Sequence, residues 1–173
     1  MPVAYKQFRP GIFSTPAEVS AVQREIKVMS TVFGHPNLVK LLGVSGDPST
    51  PIVGAGLLLE LAERGTLRDL LKSEEAFPPG ARFAVARDIA DAMAHLHAET
   101  PMKPLIIHRD LKSLNILIFI TEDGGSLAKV ADFGISKGMS DNTMANTQTM
   151  GMGSMRWSAP ECAKGMFRAL NIN

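Results

Sequence analysis

The segment His-Arg-Asp-Leu-Lys-Ser-Leu-Asn, residues 108–115, stands between an apolar pair at 106–107 and an apolar run at 116–120. A second apolar run, 127–131, leads directly into Asp132-Phe133-Gly134, which begins seventeen residues after Asn115. Glu122-Asp123-Gly124-Gly125 separates the two runs, and a turn-forming sequence between apolar runs predicts a β-hairpin. The hairpin would return Asp132 to the neighbourhood of Asn115, and Asp110 would join them if the segment between Asp110 and Asn115 loops.

The polar side chains of this stretch predict a site for a metal ion and a phosphate. Carboxylate and amide oxygens, such as those of Asp110, Asn115 and Asp132, suit magnesium, which usually shares its coordination shell with substrate phosphates. Alternatively, Asp110 could orient a hydroxyl nucleophile while Lys112 neutralises charge on a transferred phosphoryl group. Spacing alone leaves both roles open.

The rest of the chain predicts strands and one helix, followed by a mainly helical part. Thr15-Pro16-Ala17-Glu18 is a helix-start sequence, and apolar residues at 19, 22, 26, 29 and 33 then form one stripe, which Gly34 and Pro36 end. Strands are predicted at 3–8, 38–44 and 52–59, with a turn at 46–49 between the last two. A helix capped by Thr66, with Leu67, Leu70 and Leu71 facing inward, and a long alanine-rich helix after Pro78-Pro79-Gly80 follow. The segment from 138 to 155 is rich in Thr, Asn, Gly and Met, which predicts a long loop.

Composition limits the class of protein. The chain has 173 residues, of which 45% are hydrophobic and 20% charged, so we expect one globular domain. Its net charge of +1 gives no reason to expect nucleic acid as a partner, and its single cysteine excludes an internal disulfide. Apolar runs are far shorter than a membrane span, which needs about 18 residues. We expect a cytoplasmic protein without a membrane span.

The motifs HRDLKSLN, ADFG and SAPE, in that order and spacing, resemble those of the protein kinase catalytic domain. Val3-Ala4-Tyr5-Lys6 resembles the lysine strand of that family, and Glu60-Leu61-Ala62 resembles its hinge, preceded by Leu59 as gatekeeper. GSMRWSAPE together with HRDLKSLNIL is most similar to the tyrosine-kinase-like group of serine/threonine kinases. The resemblance covers residues 2–163.

The resemblance implies an α+β, two-lobed protein-kinase-like fold. A small antiparallel sheet with one helix would form an N-lobe at about residues 2–59. Residues 60–65 would form the hinge, residues 66–163 would form a mainly helical C-lobe, and residues 164–173 would be a divergent tail. Two departures make us expect an incomplete domain. No Gly-rich phosphate loop precedes the lysine strand, and no further helices follow Glu161, so the first strand and the Phe83–His97 helix would lack neighbours.

The resemblance also implies a role for individual residues. Asp110 would be the catalytic base, Lys112 would contact the transferred phosphate, and Asn115 and Asp132 would bind Mg2+. Lys6, paired with Glu25, would bind the phosphates of ATP, while the hinge residues Glu60 and Ala62 would bind its adenine. His108 is expected to be a packed scaffold residue, and His95 and His97 to pack rather than bind metal.

The implied reaction is ATP-dependent phosphoryl transfer to serine or threonine hydroxyls of proteins, weak without the Gly-rich loop. The alternative is a catalytically incompetent kinase-like fragment that binds a nucleotide or a partner. An upstream kinase could phosphorylate the activation segment, residues 132–161, and the phosphate could then bind Arg109. The candidate acceptors are Ser140, Thr143, Thr147 and Thr149, and Ser154 could help to seat a substrate hydroxyl.

Overall fold

A computed structural model describes residues 2–7, 16–32, 34–45, 56–133, 137–138 and 155–157. The strands are β1 (Val3–Gln7), β2 (Leu41–Ser45), β3 (Gly56–Glu60), β4 (Ile106–Ile107), β5 (Ile116–Ile120), β6 (Ser126–Val130) and β7 (Lys137–Gly138). The helices are α1 (Pro16–Thr31), α2 (Leu67–Lys72) and α3 (Pro79–His97), with short 3-10 turns at Ser113–Asn115 and Met155–Trp157. A small antiparallel sheet with one helix thus precedes a mainly helical part, which confirms the predicted α+β class.

The first sheet has three antiparallel strands in the order β1-β3-β2. Lys6 on β1 faces Leu57 on β3, a residue with no exposed surface. Helix α1 contributes Val22, Val28 and Met29 to the core, and Val32 follows directly after the helix. Val22 and Met29 belong to the predicted stripe and Ile26 is partly buried, whereas Val28 and Val32 are buried residues that the stripe did not include. The side chains of Val19 and Phe33 lie outside the described part of the chain. Gly34 follows with a φ of +97°, a conformation that suits glycine and ends the helix.

The second strand begins at Leu41, three residues later than predicted. The reason is that residues 37–39 are used elsewhere: the Val130 N–H donates to the Asn37 carbonyl at 2.9 Å, and the Val39 N–H donates to the Val130 carbonyl at 2.9 Å. Leu38 and Val130 therefore form a parallel bridge. This segment joins the small sheet to the hairpin of β5 and β6.

The predicted hairpin is confirmed, with Ile116 opposite Val130 and Ile120 opposite Ser126. Its outer edges are both occupied. The Ile118 N–H donates to the Gly65 carbonyl at 2.9 Å and the Arg64 N–H donates to the Ile118 carbonyl at 3.1 Å, on the β5 side. Residues 37–39 occupy the β6 side. Because neighbours hold both strands, the hairpin is a firm base for the residues at its ends.

Helix α2 begins as predicted, because Thr66 and Asp69 form a reciprocal capping box. The prediction that Leu71 faces inward is wrong. Leu70 is buried, whereas Leu71 is 56% exposed. The helix has only six residues and packs on the 113–115 turn and β5, a narrow surface that covers Leu70 and leaves the next residue outside.

Helix α3 has a wide apolar face, and the other described residues cover only part of it. Val85, Ala92 and Leu96 are buried against β6 and β4, while Phe83 is 77% exposed and Ala86 and Ala90 are also exposed. The expectation that His95 packs is confirmed, because its ring stacks on that of His35 with centroids 4.5 Å apart. The same expectation is wrong for His97, which is exposed. The expectation that part of this helix lacks a neighbour therefore holds among the described residues.

Several predictions concern residues outside the described ranges. They are the helix-start residue Thr15, the turn at 46–49, the first residues of the strand predicted at 52–59, most of the segment 138–155, and the tail. The predicted domain boundaries stay predictions. Within the described residues, no helix combines the length and apolar composition that crossing a lipid bilayer requires.

Candidate active site

Lys6 contacts residues from both parts of the chain. Its Nζ donates to Oε1 of Glu25 on α1 at 2.7 Å and to Oδ1 of Asp132, just after β6, at 3.0 Å. These partners lie 19 and 126 residues away in the sequence. The predicted Lys6–Glu25 contact is present, and the role of either residue toward a nucleotide stays a prediction.

The charges around Lys6 favour its protonated form. Burial would lower the pKa of Lys6, but the carboxylates of Glu25 and Asp132 reverse that effect and raise it above the ordinary value. The Glu25 side chain is only 6% exposed, whereas those of Lys6 and Asp132 are 38% and 45% exposed. The ammonium group thus has a buried anchor on one side and an accessible carboxylate on the other.

Asp110, Lys112 and Asn115 form a second group. The Asn115 Nδ2 donates to the Asp110 backbone carbonyl at 2.8 Å and to Asp110 Oδ2 at 3.1 Å, and the Lys112 ammonium also binds Oδ2. The 3-10 turn makes this contact possible, because the Asn115 N–H donates to the Lys112 carbonyl at 2.8 Å and curls the chain. The chain therefore loops between Asp110 and Asn115, which is the condition on which the predicted convergence of these two residues depends.

The two groups are tied together by backbone. The Ala131 N–H donates to the Asn115 carbonyl at 2.8 Å, which fixes the residue before Asp132 beside the metal-ligand candidate Asn115. Asp110, Asn115 and Asp132 are thus gathered at one end of the hairpin, as the sequence predicts.

His108 is a buried bridge between the same segments. Its Nδ1 accepts the Asp110 N–H at 3.3 Å, so Nε2 carries the proton and donates to the Ala131 carbonyl at 3.0 Å. Burial lowers the pKa of His108, which keeps the ring neutral, as this pair of bonds requires. Its ring also lies 5.3 Å from the Phe133 ring, between centroids. These contacts are those of the packed scaffold residue that the sequence predicts.

Two residues of the site have left-handed backbone. The φ of Arg109 is 70° and that of Asp132 is 67°, although neither is glycine. Such conformations cost on the order of 1 kcal/mol or more and persist where the surroundings enforce them, often at functional sites. Asp132 is held by its contact with Lys6, and the residues on either side of Arg109, His108 and Asp110, are joined by the hydrogen bond described above.

Glu60 and Ala62 belong to neither group. The Glu60 carboxylate accepts both of its bonds to Lys129 at 2.7 and 2.8 Å and also accepts the Lys40 N–H at 2.8 Å. The Glu60 side chain is therefore engaged within the protein, and any contact of this residue with a ligand falls to its backbone. The Ala62 carbonyl accepts the Gly65 N–H at 3.3 Å. Among the hydrogen bonds between described residues, none uses the Ala62 N–H.

Three residues near the site were not predicted from the sequence. Lys129 on β6 holds Glu60, and two buried polar residues, Asn37 and Asp88, bind the backbone of β6. Asp88 had a detectable signal, because it lies at the helical spacing of the buried residues Val85, Ala92 and Leu96. A carboxylate on an apolar stripe must find a partner, and here the partner comes from β6.

The predicted phosphorylation sites, Ser140, Thr143, Thr147 and Thr149, lie outside the described residues, as does Ser154. Arg109, the expected partner of a phosphate, is described and is exposed.

Comparison with known proteins gives a consistent result. A family model for protein tyrosine and serine/threonine kinases matches residues 1–169. Mitogen-activated protein kinase kinase kinase 7 from Drosophila melanogaster is 38% identical over 158 residues, which are 88% of this chain and 21% of that protein. A probable LIM domain-containing serine/threonine-protein kinase from Dictyostelium discoideum is 38% identical over 151 residues, 85% of this chain and 21% of that protein.

A plant relative extends the comparison. Wall-associated receptor kinase-like 14 from Arabidopsis thaliana is 40% identical over 133 residues, 75% of this chain and 17% of that protein. The chain thus spans about a fifth of the length of the curated relatives that it matches. Together with the fold and the positions of the motif residues, the match over nearly the whole chain shows that this protein belongs to the protein tyrosine and serine/threonine kinase family.

Proposed function

We propose that this chain transfers the terminal phosphoryl group of ATP to serine or threonine hydroxyls of proteins. The observation that supports this most is the position of Lys6, whose ammonium lies between Glu25 at 2.7 Å and Asp132 at 3.0 Å. A lysine held by a buried carboxylate, next to an accessible one, can bind phosphate oxygens while its position stays fixed. The Dictyostelium relative, which is named a probable serine/threonine-protein kinase, supports the choice of acceptor hydroxyl.

The donor set fits Mg2+. Asp132 and Asn115 offer carboxylate and amide oxygens, the hard ligands that this ion prefers, and they lie at the same end of the hairpin. Within the part of the chain that the structure describes, His, Cys, Asp and Glu side chains form no group of three or more that could hold a metal. Few protein ligands are what Mg2+ needs when phosphates and water complete its shell. When bound, Mg2+ would neutralise phosphate charge.

Asp110 and Lys112 would act on the acceptor hydroxyl and the transferred group. The Asp110 carboxylate, whose side chain is 11% exposed, is oriented by Asn115 and Lys112. As the proposed base it would accept the hydroxyl proton at a position that these two bonds fix. Lys112, two residues away on the same loop, would balance charge on the phosphoryl group in flight. His108 holds the loop without taking part in proton transfer.

The adenine would be bound by backbone groups of the predicted hinge. The carbonyl of Glu60 and the N–H of Ala62 are the proposed contacts, because the Glu60 side chain is engaged by Lys129 and Lys40.

Regulation and location are further parts of the proposal. Phosphorylation of the activation segment by an upstream kinase would give exposed Arg109 a phosphate partner with charge-assisted hydrogen bonds. A role in signal transduction and a cytoplasmic location are further predictions, which the single cysteine and the proposed substrates fit.

The test is transfer of radiolabelled phosphate from ATP to a serine- and threonine-containing protein in the presence of Mg2+. We expect incorporation by the wild-type chain and a loss of about 10²- to 10⁴-fold in Asp110→Asn. Asp91→Asn, the same change at an exposed position of α3, is the matched control and should be as active as wild type. Equal incorporation by wild type and Asp110→Asn would contradict the proposal. Binding of ATP without any transfer would favour the alternative, a kinase-like binding module.

A further inference from the structure

Ala128, in the middle of β6, is held by two side chains from other parts of the chain. Its N–H donates to Oδ2 of Asp88 on α3 at 3.0 Å, and its carbonyl accepts Nδ2 of Asn37 at 3.1 Å. Ala128 has no exposed surface, and Asp88 and Asn37 are 3% and 5% exposed. Both backbone groups of one residue are thus bound by buried polar side chains on the strand edge away from β5.

Burying the Asp88 carboxylate and the Asn37 amide costs free energy unless hydrogen bonds replace those to water. A buried carboxylate must be compensated for the hydration that it loses. The ion-pair partner of Asp88 among the described residues is Arg87, at 3.1 Å, whose side chain is 71% exposed and solvated. The contact with the Ala128 N–H is the buried one. Asn37 binds β6 at two points: its side chain donates to the Ala128 carbonyl, and its backbone carbonyl accepts the Val130 N–H.

The contacts continue along β6 toward the site. Val130 is bound by residues 37–39, and Ala131 is bound by Asn115 and His108. Asp132 is the next residue, four positions after Ala128. A strand advances about 3.3 Å per residue, so a one-residue slip of β6 that began at Ala128 and continued through Val130 and Ala131 would move Asp132 by about that distance relative to Lys6 and Asn115.

We propose that Asp88 and Asn37 are positioning residues, which hold Ala128 and thereby fix Asp132 relative to Lys6 and Asn115. The inference rests on the proposed function, in which Asp132 and Asn115 bind Mg2+ together with ATP. Neither residue contacts the substrate, and both act through the backbone of β6.

The experiment measures two quantities in Asp88→Ala, Asp88→Asn and the exposed control Asp91→Ala. The first is the hydrogen-exchange rate of the Ala128 amide. The second is the Mg2+ concentration that gives half-maximal ATP binding, followed by calorimetry. In Asp88→Ala we expect amide exchange to become about 10- to 100-fold faster, since a hydrogen bond to a charged group is lost, and the half-maximal Mg2+ concentration to rise several-fold.

Asp88→Asn keeps an oxygen that can accept the Ala128 N–H, so both quantities should return close to their wild-type values. Asp91→Ala should leave both unchanged. Faster amide exchange together with a wild-type Mg2+ dependence would overturn the positioning role, and unchanged exchange in Asp88→Ala would overturn the contact itself.

Asn37→Ala supplies a second variant if Asp88→Ala does not fold. It removes the bond to the Ala128 carbonyl and keeps the backbone bonds of residue 37. A raised Mg2+ requirement in this variant supports the proposal, and an unchanged one refutes it. A wild-type chain that binds no ATP with Mg2+ would contradict the proposed function itself, an outcome distinct from any difference between the variants.

Discussion

Glu25→Gln tests the pair that anchors Lys6. The substitution keeps the size of the side chain and one oxygen acceptor but removes the negative charge. Glu25 is well suited to this test, because its side chain is 6% exposed and its Oε1 accepts the Lys6 ammonium at 2.7 Å. Lys6 keeps its other partner, Asp132, so we expect the ammonium to move toward Asp132 and away from its anchored position.

The size of the effect follows from distance and exposure. At 2.7 Å the gross attraction is about 6 kcal/mol with an effective dielectric constant of 20 and about 1.5 kcal/mol in water. The Lys6 side chain is 38% exposed, so solvent screens the pair and its net value lies near the lower figure. A loss of about 1–2 kcal/mol corresponds to a change of about 5- to 30-fold.

The assay is the kcat/KM for ATP in phosphate transfer, with ATP binding as a second readout. We expect a 5- to 30-fold decrease of kcat/KM in Glu25→Gln, by the estimate above. Glu74→Gln, at an exposed position after α2, is the matched control and should behave as wild type. If Glu25→Gln stays within about twofold of wild type while Lys6→Met is strongly impaired, the anchoring role of Glu25 is refuted.

Three further predictions concern stability. Burial lowers the pKa of His108 below the unfolded value of about 6.5. The free energy of unfolding should therefore be at its full value above about pH 6.5 and should decrease as the pH falls below it, because the unfolded chain then binds a proton that the folded chain does not. Urea unfolding at about pH 7.5 and 5.5 measures this decrease, and we expect a smaller decrease in His108→Gln. Lys103 is 5% exposed, and its ammonium donates to three backbone carbonyls at and beyond the end of α3. Lys103→Met should therefore reduce the free energy of unfolding by about 1–3 kcal/mol, whereas Lys72→Met, at an exposed position, should not. Gly56→Ala would place a Cβ 2.6 Å from a backbone oxygen of β1, so we expect the free energy of unfolding, measured by thermal unfolding, to fall by about 1–3 kcal/mol. Gly80→Ala, whose added Cβ has no other atom within 4 Å, should leave the free energy of unfolding unchanged or raise it. A pH-independent stability, or equal effects of either matched pair, would contradict these predictions.

The sequence predicts the hairpin, and places the polar motif directly before it, because these signals are local. The hairpin can be recognised from two apolar runs around a Gly-rich turn, with a polar motif at the start of the first run. Distant residues are not needed to recognise this pattern. The pairing of Lys6 with Glu25 is of another kind. It was expected from the family resemblance, since neither a lysine in a terminal strand nor a glutamate at the edge of a stripe shows by itself which partner it meets.

The features that sequence did not predict depend on distant contacts. The late start of β2 results from the pairing of residues 37–39 with Val130, about ninety positions away. The exposure of Leu71 and Phe83 depends on which surfaces the neighbours cover, because helical periodicity marks an apolar face without showing its partner. Asp88 is the exception, since a carboxylate on the apolar stripe of α3 could have been noticed from spacing alone.

The most direct test of the kinase assignment at this site is calorimetric titration of ATP into the chain with and without Mg2+, for wild type and Asp132→Asn. We expect ATP to bind the wild-type chain with Mg2+, to bind much more weakly when Mg2+ is chelated, and to lose this Mg2+ dependence in Asp132→Asn. ATP binding that is the same in both proteins would contradict the assignment of Asp132 as a residue that holds the metal–nucleotide complex, and binding that is the same with and without Mg2+ would contradict the metal site itself.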